Sequence, residues 1–347
     1  MSAPFSICGR EISPGSREVI ELPLPPLSTH SALHMPAHVI RGKKDGPCLL
    51  VCAALHGDEI NGVEIIRRLV GLGALDKIRG TLIAIPIVNI YGFIHLSRYL
   101  PDRRDLNRSF PGSETGSLAG RLAHLFMNEV VEKATYGIDL HTAAIHRDNF
   151  PQIRATLDDA ETRRIAEAFH APLIIDAGLR PGTIREAAVK MNIPWLVYEA
   201  GEALRFDEIS IRAGVRGIVN VMREVGMLRK SLRKKSYRPR IVKSNFWIRA
   251  PQSGILRLTA ALGASVSKGD ILGYVADPYG GREVQITSPD NGIIIGRTNL
   301  PLMHEGDAML HLARFRDNAS ASETVDAFQS ELDPVESTGI SGSEPIA

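Results

Sequence analysis

Between residues 47 and 225 the chain alternates short apolar runs with longer stretches whose apolar residues return every three or four positions. The short runs, rich in β-branched and aliphatic side chains and closed by polar or glycine turns, predict strands over 47–54, 81–88, 136–140, 172–176 and 194–199. Helical spacing predicts helices over 61–72, 117–134, 158–170, 184–191 and 208–225, several opening on an Asn, Ser or Asp that can accept a free N–H of the first turn. Strands alternating with helices imply an α/β domain, a mixed sheet flanked by helices.

After Val225 the pattern changes. Seven basic residues fall between Arg229 and Arg240, with a proline near the end, and read as a linker or a surface helix end. A nucleic-acid patch would need interleaved aromatics, which the run lacks. From 248 to 313 a unit repeats: Ala250-Pro251-Gln252-Ser253-Gly254-Ile255-Leu256 returns as Ser288-Pro289-Asp290-Asn291-Gly292-Ile293-Ile294, and Lys268-Gly269-Asp270 returns as Glu305-Gly306-Asp307. Two copies of a short β unit predict a small all-β second domain, similar to the biotinyl/lipoyl barrel-sandwich. Carrier domains of that kind need a lysine on the hairpin between the halves, and 276–290 contains none, so an attached cofactor is not expected. Beyond Arg316 the chain has seven acidic residues and no Lys or Arg, which predicts a disordered tail. The expected division is therefore a catalytic domain over 1–240, a sandwich over 245–315 and a disordered acidic tail over 316–347.

Composition narrows the function. At 347 residues, 44% hydrophobic and 23% charged, the chain is of ordinary globular make-up, and a formal net charge of +2 gives no global field for nucleic acid or anionic lipid. There is no run of about 18 apolar residues for a membrane span and no signal-peptide pattern at the start. Cys48 and Cys52 lie in an apolar run, so the three cysteines suggest core side chains and a reducing, cytoplasmic setting. The expected partner is a small molecule, with no nucleic acid and no membrane; a homo-oligomer stays open.

Candidate chemistry gathers at strand ends. The run Leu49–Leu55 leads into His56-Gly57-Asp58-Glu59, and Tyr136–Leu140 leads into His141, so both histidines and Glu59 fall at the carboxyl edge of an α/β sheet, where ligands bind. Two His and one Glu with a fourth position open is a catalytic zinc arrangement, and Asp139, on the same side of its strand as His141, could orient that ligand. A third strand ends in Glu199, a carboxylate suited to moving a proton. Between the first two ligands, Asp102-Arg103-Arg104-Asp105-Leu106-Asn107-Arg108 can grip a substrate carboxylate, since a guanidinium fork matches its geometry.

Together HGDE after a strand, DLNRSFPG, DLHT after a strand and VYEAG after a strand resemble the succinylglutamate desuccinylase/aspartoacylase family, relatives of the zinc carboxypeptidases. The likeness covers about 45–225, and the following sandwich is similar to that family's second domain. It implies a zinc carboxypeptidase-like fold and one zinc per chain, held by His56, Glu59 and His141. Glu199 is implied as the residue that activates water, and Asn107 and Arg108 as the carboxylate-binding pair. Arg185 is carried over as a further substrate contact, and Arg104 is read as a helper in the same loop as Asn107 and Arg108, a role for which its neighbour Arg103 competes. The implied activity is hydrolysis of the amide bond of an N-acyl amino acid. A carboxypeptidase acting on short peptides and a non-catalytic ligand-binding module are the alternatives. His30, His34 and His38, four residues apart, are left out as a second metal site because Pro36 would interrupt a helix aligning them; His146 is read as a loop histidine contacting solvent or substrate, and His304 as a surface residue of the sandwich.

Overall fold

The computed structural model describes residues 4–232 and 235–332. Its centre is four parallel strands, in the spatial order Arg79–Ile85, Lys44–Ala53, Tyr136–Ala143 and Trp195–Glu202. Every residue from Leu49 to Ala54 is fully buried, as expected for strands covered on both faces. Helices Asn61–Val70, Ala160–Phe169 and Glu208–Glu224 pack on one face, and Leu118–Glu129 and Ile184–Lys190 on the other. Capping follows the sequence in four cases: Ser117, Asp159, Thr183 and Asp207 each accept a backbone N–H of the helix they precede. The helix at Asn61 is different, because its cap is Ile60 and the asparagine has another use, described below.

Antiparallel strands extend the parallel centre at both edges, and the sequence pattern did not reveal them. On one side lie Leu33–Arg41 and Arg17–Leu24. The histidines His34 and His38 thus belong to a strand, whose alternation had been hidden by Pro36 and the polar residues facing out. On the other side Arg147–Ala155 runs antiparallel to Trp195–Glu202, and Leu173–Asp176 pairs parallel to its far edge.

The repeat at 250–313 folds as two small interleaved sheets around their own apolar core, which includes Leu256, Leu272, Leu310 and Leu312. Corresponding strands of the two units exchange partners: Gly254–Leu258 pairs with Leu302–Met303, while Gly292–Thr298 pairs with Ser265–Val266. This unit is not set apart by a break in the sheet, however. Gly292–Thr298 also pairs with Arg147–Ala155, matching Gly296 to Asn149 and Thr298 to Arg147, so the large sheet runs on into the second unit. The boundary expected near 240–245 is one of core packing only.

The acidic tail needs a correction. Helix Asn318–Leu332 buries Ala321, Val325, Phe328 and Leu332 on the main core, at spacings of four, three and four that place them on one face. Its polar composition masked a narrow apolar stripe; 333–347 lies outside the described residues.

Candidate metal and amide-hydrolysis site

The turn after Lys44–Ala53 carries the first two candidate ligands. Ala54 takes a positive φ of 49°, and Gly57 passes so close to the backbone of Gly92 that an added Cβ would lie 2.0 Å from its carbonyl carbon. No other residue fits there, so the glycine allows the turn to fold back beneath His56. Asn89 braces the same region, donating to the carbonyls of Leu55 at 3.3 Å and Arg98 at 3.4 Å.

His56, Glu59 and His141 come together, their donor atoms all within 4.8 Å of one another and all three side chains buried. Both histidines turn Nδ1 inward, 2.7 Å (His56) and 2.6 Å (His141) from the two oxygens of Glu59. Their outer nitrogens are each held by a carboxylate, His141 Nε2 by Asp139 at 2.7 Å and His56 Nε2 by Asp105 at 3.1 Å. A ligand histidine that donates its second N–H to a carboxylate has a fixed tautomer and ring orientation. Burial alone would lower the pKa of His141, but Asp139 and Glu59 outweigh it and hold it well above the ordinary value; His56 is raised in the same way by Glu59 and Asp105. For Glu59, burial pushes up, and the two imidazoles drive it far below the usual carboxylate range. The cluster is therefore a concentrated, preformed donor set of two nitrogens and a carboxylate, which fits a divalent ion such as zinc.

Glu199 stands on the neighbouring strand, in register with His141. Its Oε2 accepts from Asn149 Nδ2 at 3.0 Å and its Oε1 lies 3.7 Å from Arg154 Nε. Asn149 reaches it because Arg147–Ala155 bulges opposite Glu199–Gly201, adding one residue between Gln152 and Asn149 and re-aiming Asn149 towards Glu199. Past Glu199 the chain turns through Gly201, at φ 80°, where Asn61 Nδ2 would meet an added Cβ at 2.3 Å. Asn61 holds this turn by donating to Ala200 O and accepting from Asp207 N.

A cavity of about 650 Å³ opens over the cluster, and its walls include Asn107, Arg108, Arg185 and Glu199. Asn107 is fixed by accepting from Ile184 N at 3.0 Å. Arg185, only 8% exposed, donates to the carbonyls of Ala177 and Gly178, and burial lowers its pKa, with the nearby charges of Arg154 and Arg180 adding to the effect. Arg104 is the exception. Its side chain is 63% exposed, lies 3.9 Å from Asp102 and is not part of the cavity wall. The arginine that does reach the donor cluster is Arg98, which bridges Asp105 at 2.9 Å and Glu59 at 3.3 Å. It precedes the Asp102–Arg108 motif that drew attention, and it is tied back to that motif through Asp105 and held from the other side by Asn89. Asp105, Asn149 and Arg98 were thus missed, as was the wall supplied by Asn245, Trp247 and His311 of the second unit. His146 and His304 are exposed.

Residues 45–225 match the model of the succinylglutamate desuccinylase/aspartoacylase catalytic domain, more than half the chain. The chain belongs to this family. Among curated proteins, this family member is 27% identical to the N-α-acetyl-L-2,4-diaminobutyric acid deacetylase of Halomonas elongata, over 82% of this chain and 87% of that one. Among solved structures it resembles a succinylglutamate desuccinylase/aspartoacylase from Rhodobacter sphaeroides, with a TM-score of 0.76, 25% identity, and 87% and 95% of the two chains covered. A product-bound ectoine utilization protein EutE (DoeB) from Ruegeria pomeroyi is similar at the same TM-score and identity, over 86% and 95%. No described helix of this deacylase-family chain is long and apolar enough to cross a membrane.

Proposed function

We propose that the protein hydrolyses the amide bond of N-acyl amino acids, with one zinc ion held by His56, Glu59 and His141. The observation that carries this reading is the pairing of two inward-turned, carboxylate-braced histidines with Glu199 in register on the next strand. Adjacent strands lie about 4.8 Å apart, so Glu199 stands beside the donor set while remaining outside it. The reading agrees with the deacetylase relative and with the family's catalytic domain.

When bound, a divalent ion supplies Lewis-acid charge beside the scissile carbonyl. The protein's own groups do the rest. Glu199, oriented by Asn149, takes a proton from the attacking water and returns it to the leaving amine. Asn107 and Arg108 hold the amino acid carboxylate, with Arg185 behind them, and a substrate fixed at that end presents its carbonyl in one pose. Asp139 and Asp105 keep both imidazoles in the tautomer that offers Nδ1 as a lone pair.

The test is to quantify bound metal and, in the same preparation, follow amine release from a panel of N-acetyl and N-succinyl amino acids with wild type and Glu199→Gln. We expect one zinc per chain in both proteins and a fall in kcat of roughly 10²- to 10⁴-fold in the variant. Unchanged turnover in Glu199→Gln, or failure to take up zinc, would sink the mechanism.

A further inference from the structure

Six arginines line the cavity, against three carboxylates, Glu59, Asp176 and Glu199. Three of the six are committed. Arg98 is paired with Asp105 and Glu59, Arg154 approaches Glu199, and Arg185 is bound to two carbonyls. Among the described residues, Arg147 has no carboxylate partner.

Arg147 is also the most deliberately placed of the remainder. Its guanidinium lies over the Trp247 ring at 5.1 Å, and Trp247 stacks on His311 at 4.6 Å with 11° between the planes. His311 is in turn held by Asn245 at 2.8 Å. The stack joins the start of Arg147–Ala155 to two strands of the second unit, so the guanidinium is held in place while its charge stays uncompensated.

Position gives this charge a role. Arg147 and Arg154 lie seven residues apart on one strand, roughly 20 Å at about 3.3 Å per residue. Glu199 sits between them, hydrogen-bonded to Asn149 and facing Arg154. Asn107 is tied to Ile184, next to Arg185, which donates to Ala177 O, and Ala177 N is bonded to Ala155 beside Arg154, so the amino acid carboxylate is held towards the Arg154 end. The acyl group of an amide reacting beside Glu199 then extends towards Arg147.

We propose that Arg147, seated on Trp247, is a specificity-determining residue that binds a carboxylate at the far end of the acyl group, selecting dicarboxylic acyl groups over acetyl. This rests on the deacylase reading, and it assigns the second unit a part in choosing substrate. A lysine would keep the charge but lose the fork and the stacking, and should work less well.

The experiment uses the zinc-loaded full chain with N-succinyl and N-acetyl derivatives of one amino acid, comparing wild type, Arg147→Ala and Arg147→Lys, alongside calorimetric binding of succinate. We expect wild type to favour the succinyl substrate. In Arg147→Ala the ratio of kcat/KM for succinyl over acetyl should fall roughly ten- to a hundredfold, chiefly through KM, and succinate should bind more weakly in step; Arg147→Lys should recover part of both. Equal losses on the two substrates, or a wild type that prefers acetyl, would overturn the inference. If neither substrate turns over but succinate binding still depends on Arg147, the deacylase reading fails and the anion site stands; turnover and binding both independent of Arg147 would remove it.

Discussion

Four histidines are buried to nearly the same degree, His56 and His141 in the donor cluster and His170 and His311 elsewhere, with exposures of 4%, 5%, 5% and 4%. Their chemistry diverges all the same. The first two are pulled towards the charged form by Glu59, Asp105 and Asp139, whereas burial drives His170 down to about 4 and His311 to about 3, with the cations Lys235 and Arg154 respectively adding to it. Burial therefore does not make a histidine a ligand. What sets the first two apart is their carboxylates, one shared between the inner nitrogens and one behind each ring. His170 shows the alternative: its Nε2 meets the carbonyl of Tyr237 and its ring packs 4.1 Å from the Tyr237 ring, an entirely structural arrangement.

If the donor cluster is independent of the His170–Tyr237 stack, damage to that stack should cost stability and leave metal binding intact. Phe328, from the terminal helix, packs edge-on to Tyr237 and to Phe150 and is 1% exposed. Phe328→Ala should lower stability by about 3–5 kcal/mol through the cavity it leaves beneath that stack. Urea unfolding measures the loss, and metal analysis of the folded protein should still find wild-type stoichiometry. A parallel loss of metal would show that the terminal helix supports the donor cluster as well.

The same contrast explains what could be read from sequence. His56, Glu59, His141 and Glu199 each close a buried apolar run at the carboxyl edge of the parallel centre, so local pattern located them one by one. Asn149, Trp247 and His311 sit within antiparallel strands, and their relation to Glu199 depends on pairings such as Gly201 with Asn149, Trp247 with His311 and Gly296 with Asn149, segments far apart in sequence, and on a bulge that re-aims Asn149. No periodicity reports a bulge. Arg98 and Arg104 illustrate the limit over a few residues, since the motif singled out an arginine that lies off the cavity wall, while Arg98, placed by a turn braced from Asn89, meets Glu59. The terminal helix was missed for the opposite reason, four apolar positions diluted by Ser, Asp and Glu.

Removing a carboxylate from behind a ligand should move His141 towards the condition of His311. Asp139 is fully buried and touches both His141 Nε2 and, at 3.6 Å, the thiol of Cys52. Asp139→Asn keeps the volume but can no longer act as an anionic acceptor, and zinc affinity should fall roughly 10- to 100-fold. A competition titration against a chelator reads this directly. An unchanged affinity would mean that Glu59 alone organises the imidazoles.

The smallest effect concerns pH. An unfolded histidine takes up its proton near pH 6.5, while the folded chain keeps His311 neutral down to about 3. Across that window the unfolded state binds more protons, so stability falls as the pH drops from about 6.5 towards 3. Between pH 7 and pH 5 a histidine locked neutral in this way costs on the order of 2 kcal/mol. His311→Gln removes the titrating group, and the loss of stability between those two pH values should shrink by on the order of 1–2 kcal/mol, read as a smaller shift in the urea midpoint. His170, with a folded value of about 4, should contribute in the same direction and remain in the variant as an internal reference. An identical pH dependence in wild type and His311→Gln would mean that the His311 ring takes up its proton in the folded protein as readily as in the unfolded one, and the distinction between the histidines would then rest on geometry alone.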